Sequence, residues 1–156
     1  MLDITLITVG RLKEASYRAA SEEYLKRLRP YARIKLVELP VVPFSSSNQE
    51  KSKELEGQKI LNFLEKNKQK NNESFVYLLA ERGKSFTSSE LATWINKNQP
   101  LILIIGGALG FSPQLYKSYP QISLSSLTFP HELARVVLLE QLYRAVTILQ
   151  KKDYHY

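Results

Sequence analysis

The sequence predicts an α/β fold with a mostly parallel sheet flanked by helices. Short apolar runs rich in β-branched residues alternate five times with stretches of helical periodicity, the arrangement that builds parallel sheets from crossover units. The most apolar run, Leu101–Ile105, leads directly into a glycine-rich turn and a helix start, as a central strand feeding a ligand loop does. At 156 residues, with 44% hydrophobic and 24% charged content, one core is expected and residues 1–156 form a single domain.

The elements follow in order. Residues 2–9 are a buried strand, and residues 15–28 a helix with Tyr17, Ala20, Tyr24 and Leu28 on one face, limited by Pro30. Residues 33–39 alternate charged with apolar side chains, which predicts a strand with one wetter face; Pro40, Pro43 and three serines then mark a loop. Residues 49–66 are a charged helix with a thin apolar side at Ile60, Leu61 and Leu64, and the basic run 66–72 is a solvated turn or an RNA-contacting loop. Residues 75–80 form a third strand, apolar enough to be covered on both faces, with residues 81–84 as the loop beyond it. Thr87 and Glu90 have capping-box spacing for a helix over 87–98. Ser112-Pro113 opens a short helix, residues 122–124 are a brief fifth strand, and Pro130 precedes a long last helix to about Gln150.

Composition narrows the chemistry. There is no cysteine and only two histidines, so thiolate metal sites and disulfides are excluded and no metal is expected. Met1 to Gly10 lack the pattern of a secretory signal, and no apolar run is long enough for a membrane, so a cytoplasmic protein is expected. Twenty-two Lys and Arg against fifteen Asp and Glu, net charge +7, favour a polyanionic partner through counterion release.

Three segments should meet beyond the carboxyl ends of the strands: residues 81–84, 106–110 and 125–129. The glycine loop Gly106-Gly107-Ala108-Leu109-Gly110 lacks the lysine of a phosphate loop and the spacing of a dinucleotide fingerprint. Residues 124–130 contain small hydroxyls and apolar groups but no cation, which suits an uncharged heterocycle better than a phosphate. The last helix is apolar almost all round, so it must be buried on more than one side, and a homodimer partner is the expected second cover. Its polar stripe is Glu140, Arg144, Thr147 and Lys151; Glu140 and Arg144 are spaced to pair. The aromatic tail Tyr154-His155-Tyr156 is suited to stacking on a base.

These residues carry a family resemblance over the whole chain. Ile104-Ile105-Gly106-Gly107-x-x-Gly110, Leu124-Ser125-x-Leu127-Thr128-Phe129-Pro130-His131, Leu142-Tyr143-Arg144-Ala145 and Tyr154-His155 together resemble the RlmH family of small bacterial SPOUT methyltransferases. The resemblance implies a SPOUT-type fold with a C-terminal trefoil knot, an obligate homodimer and S-adenosyl-L-methionine as cofactor. It implies transfer of a methyl group to N3 of a pseudouridine in 23S ribosomal RNA of the assembled large subunit or ribosome. By matching position, Leu79, Gly106, Leu124, Ser125, Ser126, Leu127, Thr128 and Phe129 would contact the cofactor. His131 and Arg135 would bind the substrate base, and Arg144, Tyr154 and His155 would act in catalysis. Arg144 would stabilise charge developing on the base carbonyls, with His155, then Glu140, then water as proton acceptor. Glu81-Arg82 and Ala108-Leu109 are where the chain departs from some relatives. The competing expectations are a noncatalytic RNA-binding α/β module and a SPOUT enzyme acting on transfer RNA.

Overall fold

The computed structural model describes residues 1–67 and 74–154. Residues 68–72 of the basic run, and His155, lie outside the described residues. In chain order the elements are β1 (Leu2–Val9), α1 (Ala15–Leu28), β2 (Ala32–Leu39), α2 (Gln49–Lys66), β3 (Phe75–Lys84), α3 (Ser88–Lys97), β4 (Leu101–Ile105), α4 (Pro113–Ser118), β5 (Gln121–Ile122) and α5 (His131–Leu149).

All pairings in the sheet are parallel, in the order β2-β1-β4-β3-β5. The most apolar strand therefore takes the middle, where both faces are covered, and every residue of β4 is buried. Strand alternation divides the core into two layers. Leu101, Leu103 and Ile105 of β4, with Leu2, Ile4 and Leu6 of β1, face α1, α3 and α5. Ile102 and Ile104, with Ile7, Val9 and Leu78, face α2 and α4. Each such leucine or isoleucine contributes roughly 1.5–3 kcal/mol by leaving water, which makes the register hard to slip.

Helix starts follow local chemistry. At α3 the Thr87 hydroxyl accepts from the Glu90 backbone N–H at 3.3 Å, and the Glu90 carboxylate accepts from the Thr87 N–H at 2.7 Å. Ser112 caps α4, with Pro113 at its first position, where a missing N–H is harmless. In the first turn of α5, Glu132 accepts from the backbone of Lys13 at 2.5 Å and of Glu14 at 3.2 Å, which pins the β1–α1 connection beside the helix.

Expectations change in the sheet and at α5. Residues 81–84 are not a free loop: β3 runs to Lys84, and both Leu79 and Lys84 register against Ile122, so residues 80–83 bulge out of the seam. Gly83 permits this, because a Cβ there would lie 2.6 Å from the Ile122 backbone. The fifth strand is also shorter, Gln121–Ile122 instead of 122–124. The other change concerns α5. No residue from His131 to Leu149 is exposed in the single chain, because α1 and α3 pack along it while the sheet covers its base. Much of the apolar surface assigned to a partner is thus covered by the chain's own helices.

Candidate active site

The carboxyl ends of β3, β4 and β5 open into one cleft of about 970 Å³. Its floor is the loop after β4. Gly110, at φ +76°, closes that loop by donating to the Gly107 carbonyl at 3.0 Å, a conformation that favours glycine. A Cβ on Gly106 would meet the buried Phe111 ring at 3.3 Å, and one on Gly107 would fall 2.6 Å from the Glu56 carboxylate. The bare backbone of this loop is therefore open to a ligand from above and closely supported from below.

The wall after β5 is held by its own hydroxyls. Ser123 donates to the Ser125 carbonyl at 2.8 Å, and the Ser125 hydroxyl accepts from the Leu127 N–H at 3.1 Å. This turn sets Leu127 on the rim, 69% exposed, with Thr128 and Phe129 lining the cleft. The end of β3 supplies Leu79, and its bulge Glu81 and Arg82. His131, in the first turn of α5, closes one end.

Of the predicted cofactor residues, Leu79, Gly106, Leu124, Ser125, Leu127, Thr128 and Phe129 line this space; Ser126 does not. Phe111, Tyr116 and Ala134 also line it and were not singled out from sequence. Phe111 follows Gly110 directly, and its edge meets the Tyr116 ring at 5.7 Å, so an aromatic after the glycines was the available signal. Arg135 does not line the cleft. It is 6% exposed, ion-paired to Glu38 at 2.8 Å, and its Nε is buried without a partner among the described residues. It ties α5 to the end of β2.

A second constellation sits at the other end of α5. Arg144 donates through Nε and Nη2 to one oxygen of Glu140, at 3.0 and 2.6 Å. Gln141 donates to the other oxygen at 2.6 Å and accepts from Ser88 on α3 at 2.9 Å. The tail turns back here in a Schellman motif: Lys152 N–H donates to the Thr147 carbonyl and Lys151 N–H to that of Ile148, with Lys151 itself at φ +53°. Tyr154 then packs edge-on against Tyr143 at 4.7 Å, under the Arg144 guanidinium at 5.2 Å. Burial first, then a hydrogen bond with Tyr24, pushes the Tyr154 phenol up to about 12, so it stays protonated and donates to Glu140 at 3.4 Å. The hydrogen bond that Arg144 donates to Glu140 holds its guanidinium above its ordinary value. His131 and Arg144 are thirteen residues apart on one helix, about 20 Å at 1.5 Å per residue. One chain does not bring its cleft and its arginine–tyrosine cluster together.

A parallel sheet whose last three strands open into a glycine-floored, largely apolar cleft defines an α/β protein with a ligand-sized site beyond the carboxyl ends of its strands. The family described as "Predicted SPOUT methyltransferase" matches residues 2–155, and the chain belongs to that family. It is 41% identical to "Ribosomal RNA large subunit methyltransferase H" of Kosmotoga olearia, covering 99% of this chain and 100% of that one. With the protein of the same name from Gloeobacter violaceus it shares 44% identity over 98% of each chain. Among solved structures, TrmJ from Z. mobilis ZM4 superposes with a TM-score of 0.50 at 12% identity, covering 94% of this chain and 70% of that one, a likeness of fold.

Proposed function

We propose that the protein transfers the methyl group of S-adenosylmethionine to N3 of a pseudouridine in large-subunit ribosomal RNA, in the cytoplasm and on the assembled subunit or ribosome. The observation that carries this is the three-loop cleft in a chain that matches, end to end, relatives named for methylating that RNA. The cleft fits the cofactor: Leu79, Leu124 and Phe129 offer apolar walls for an adenine, and Ser125 and Thr128 offer small polar groups. Gly106 lets the loop close on Phe111, where a Cβ would lie 3.3 Å from the ring, so a side chain there would disturb the cleft floor. Residues 124–130, the wall after β5, carry no lysine or arginine, as suits a cofactor without phosphate on that side; Arg82 lies in the β3 bulge. When bound, the cofactor supplies a methyl group on a sulfonium, and in-line placement of the base nitrogen supplies most of the rate.

Arg144 and Tyr154 belong to the base. A guanidinium stabilises negative charge on the carbonyls as the ring nitrogen loses its proton, and a protonated phenol donates a further hydrogen bond. Their distance from the cleft of their own chain supports a homodimer in which one subunit's tail, with His155 as proton acceptor, reaches the partner's cleft. His131, at the end of the cleft, is the residue there assigned to binding the base; its place in the lining supports this. Arg135 serves the substrate indirectly, by fixing the start of α5 through Glu38.

The test uses ribosomes from cells lacking the gene. Purified protein and isotope-labelled S-adenosylmethionine should place one methyl on pseudouridine in nuclease digests of large-subunit RNA, read by mass spectrometry. Labelling confined to transfer RNA, or none, would overturn the assignment. Sedimentation should return twice the chain mass.

A further inference from the structure

Among the described residues, Glu56 is the only acidic side chain that is buried, at 4% exposure, and nothing in methyl transfer uses it directly. An ionised carboxylate in such a place is unfavourable unless its lone pairs are taken up. Burial raises its pKa, opposed by a hydrogen bond from the Val42 backbone and by the Lys59 charge.

Its position explains what it holds. Glu56 lies on the inner face of α2, with Oε2 only 2.6 Å from where a Cβ on Gly107 would stand. The next residue, Gly57, approaches so closely that its Cβ would meet the Ser112 hydroxyl at 2.5 Å, the cap of α4. Two adjacent residues of α2 therefore brace the glycine loop at both of its ends. The same helix face grips a second segment. Ser52, Glu56 and Lys59, spaced four and three apart, form one stripe. Ser52 donates to the Pro43 carbonyl at 3.1 Å, Lys59 donates to the Pro40 carbonyl at 3.3 Å, and Glu56 takes the Val42 backbone between them. This holds a connection whose Val41 and Phe44 side chains are about half exposed.

We propose that Glu56 is a positioning residue for the cofactor cleft: its buried carboxylate joins the β2–α2 connection at Val42 to the glycine loop at Gly107, so that loading the cleft and seating that connection are coupled. This rests on the cleft being the S-adenosylmethionine site. A leucine at this position would fill the core equally well but would leave the Val42 N–H without its acceptor. A glutamine keeps both the shape and an accepting oxygen.

Calorimetry with S-adenosylmethionine, beside steady-state methylation, tests it. Glu56→Ala should weaken cofactor binding about tenfold or more and raise the cofactor KM in step, with kcat at saturating cofactor within about threefold of wild type. Glu56→Gln should restore binding to within about threefold. A Glu56→Ala protein that binds normally, or a Glu56→Gln protein as weak as Glu56→Ala, overturns the proposal. If Glu56→Ala does not fold, hydrogen exchange on the wild type decides. Cofactor should slow exchange of the Val42 amide, although Val42 does not line the cleft; an unchanged Val42 overturns the coupling. The cleft assignment fails separately, if Gly106→Val leaves wild-type affinity intact.

Discussion

The cleft and the cluster at the end of α5 are built on opposite plans. The cleft is mostly backbone, small hydroxyls and apolar walls, shaped by where a Cβ cannot go: Gly83 on Ile122, Gly106 on Phe111, Gly107 on Glu56. The cluster is long charged and aromatic side chains sharing hydrogen bonds through Glu140. A backbone-lined site is preorganised and loses little entropy on binding. A side-chain cluster places charge where a reaction develops it, and each member depends on its neighbours. The difference implies that binding and chemistry are separable by mutation.

The sharpest separation is at Arg144. Arg144→Ala should lower methyl transfer by about 100-fold or more while calorimetric affinity for cofactor stays within about twofold. Equal losses in both would erase the division between the two regions. Next in size is Gly83→Ala, which places a methyl against backbone that cannot swing aside. Urea unfolding should show a loss of about 1–3 kcal/mol, and an unchanged midpoint would mean the β3–β5 seam yields.

Glu56→Gln probes the support beneath the cleft through pH. Burial raises the carboxyl's pKa in the folded protein, so the native state holds that proton more tightly than the unfolded chain does. Its contribution to stability is present below the unfolded value and is lost as pH rises through the folded one. Glutamine removes that loss, so its thermal midpoint should exceed wild type near about pH 8 and match it near about pH 4. A difference of the opposite sign would place a stronger partner for the carboxylate than Val42 and Lys59. Smallest is Lys151→Gly, which relieves a left-handed lysine and should stabilise the chain by at most about 1 kcal/mol, read by denaturant midpoint. A destabilisation would show that the lysine side chain outweighs its backbone strain.

Sequence patterns disclosed these two regions unequally. Periodicity and caps located the elements, because Leu101–Ile105 can only be central and Thr87 with Glu90 can only open a helix. Glycines exposed the cleft floor, since their use is local and conformational. The β3 bulge stayed hidden because it depends on Gly83 meeting a strand some forty residues later. The burial of α5 was misassigned in part because a one-dimensional pattern shows that a helix is covered, never by what. Here α1 and α3 take that role. The pairing of Arg135 with Glu38 was also hidden, because the two lie on elements far apart in sequence. Glu56 was invisible within a charged helix, where one buried acid resembles its solvated neighbours.

The helix α5 joins both regions without an internal glycine or proline. It is in effect a ruler with fixed graduations. One residue inserted between Ala134 and Tyr143 would lengthen it by about 1.5 Å and rotate everything beyond by about 100°. Arg144 and the reversed tail would then face a different direction while the cleft stayed intact. Restoring the original facing takes about seven residues, two full turns, which moves the cluster by about 10 Å. Angle and reach cannot both be kept, so the length of this helix is as constrained as any residue that touches a ligand.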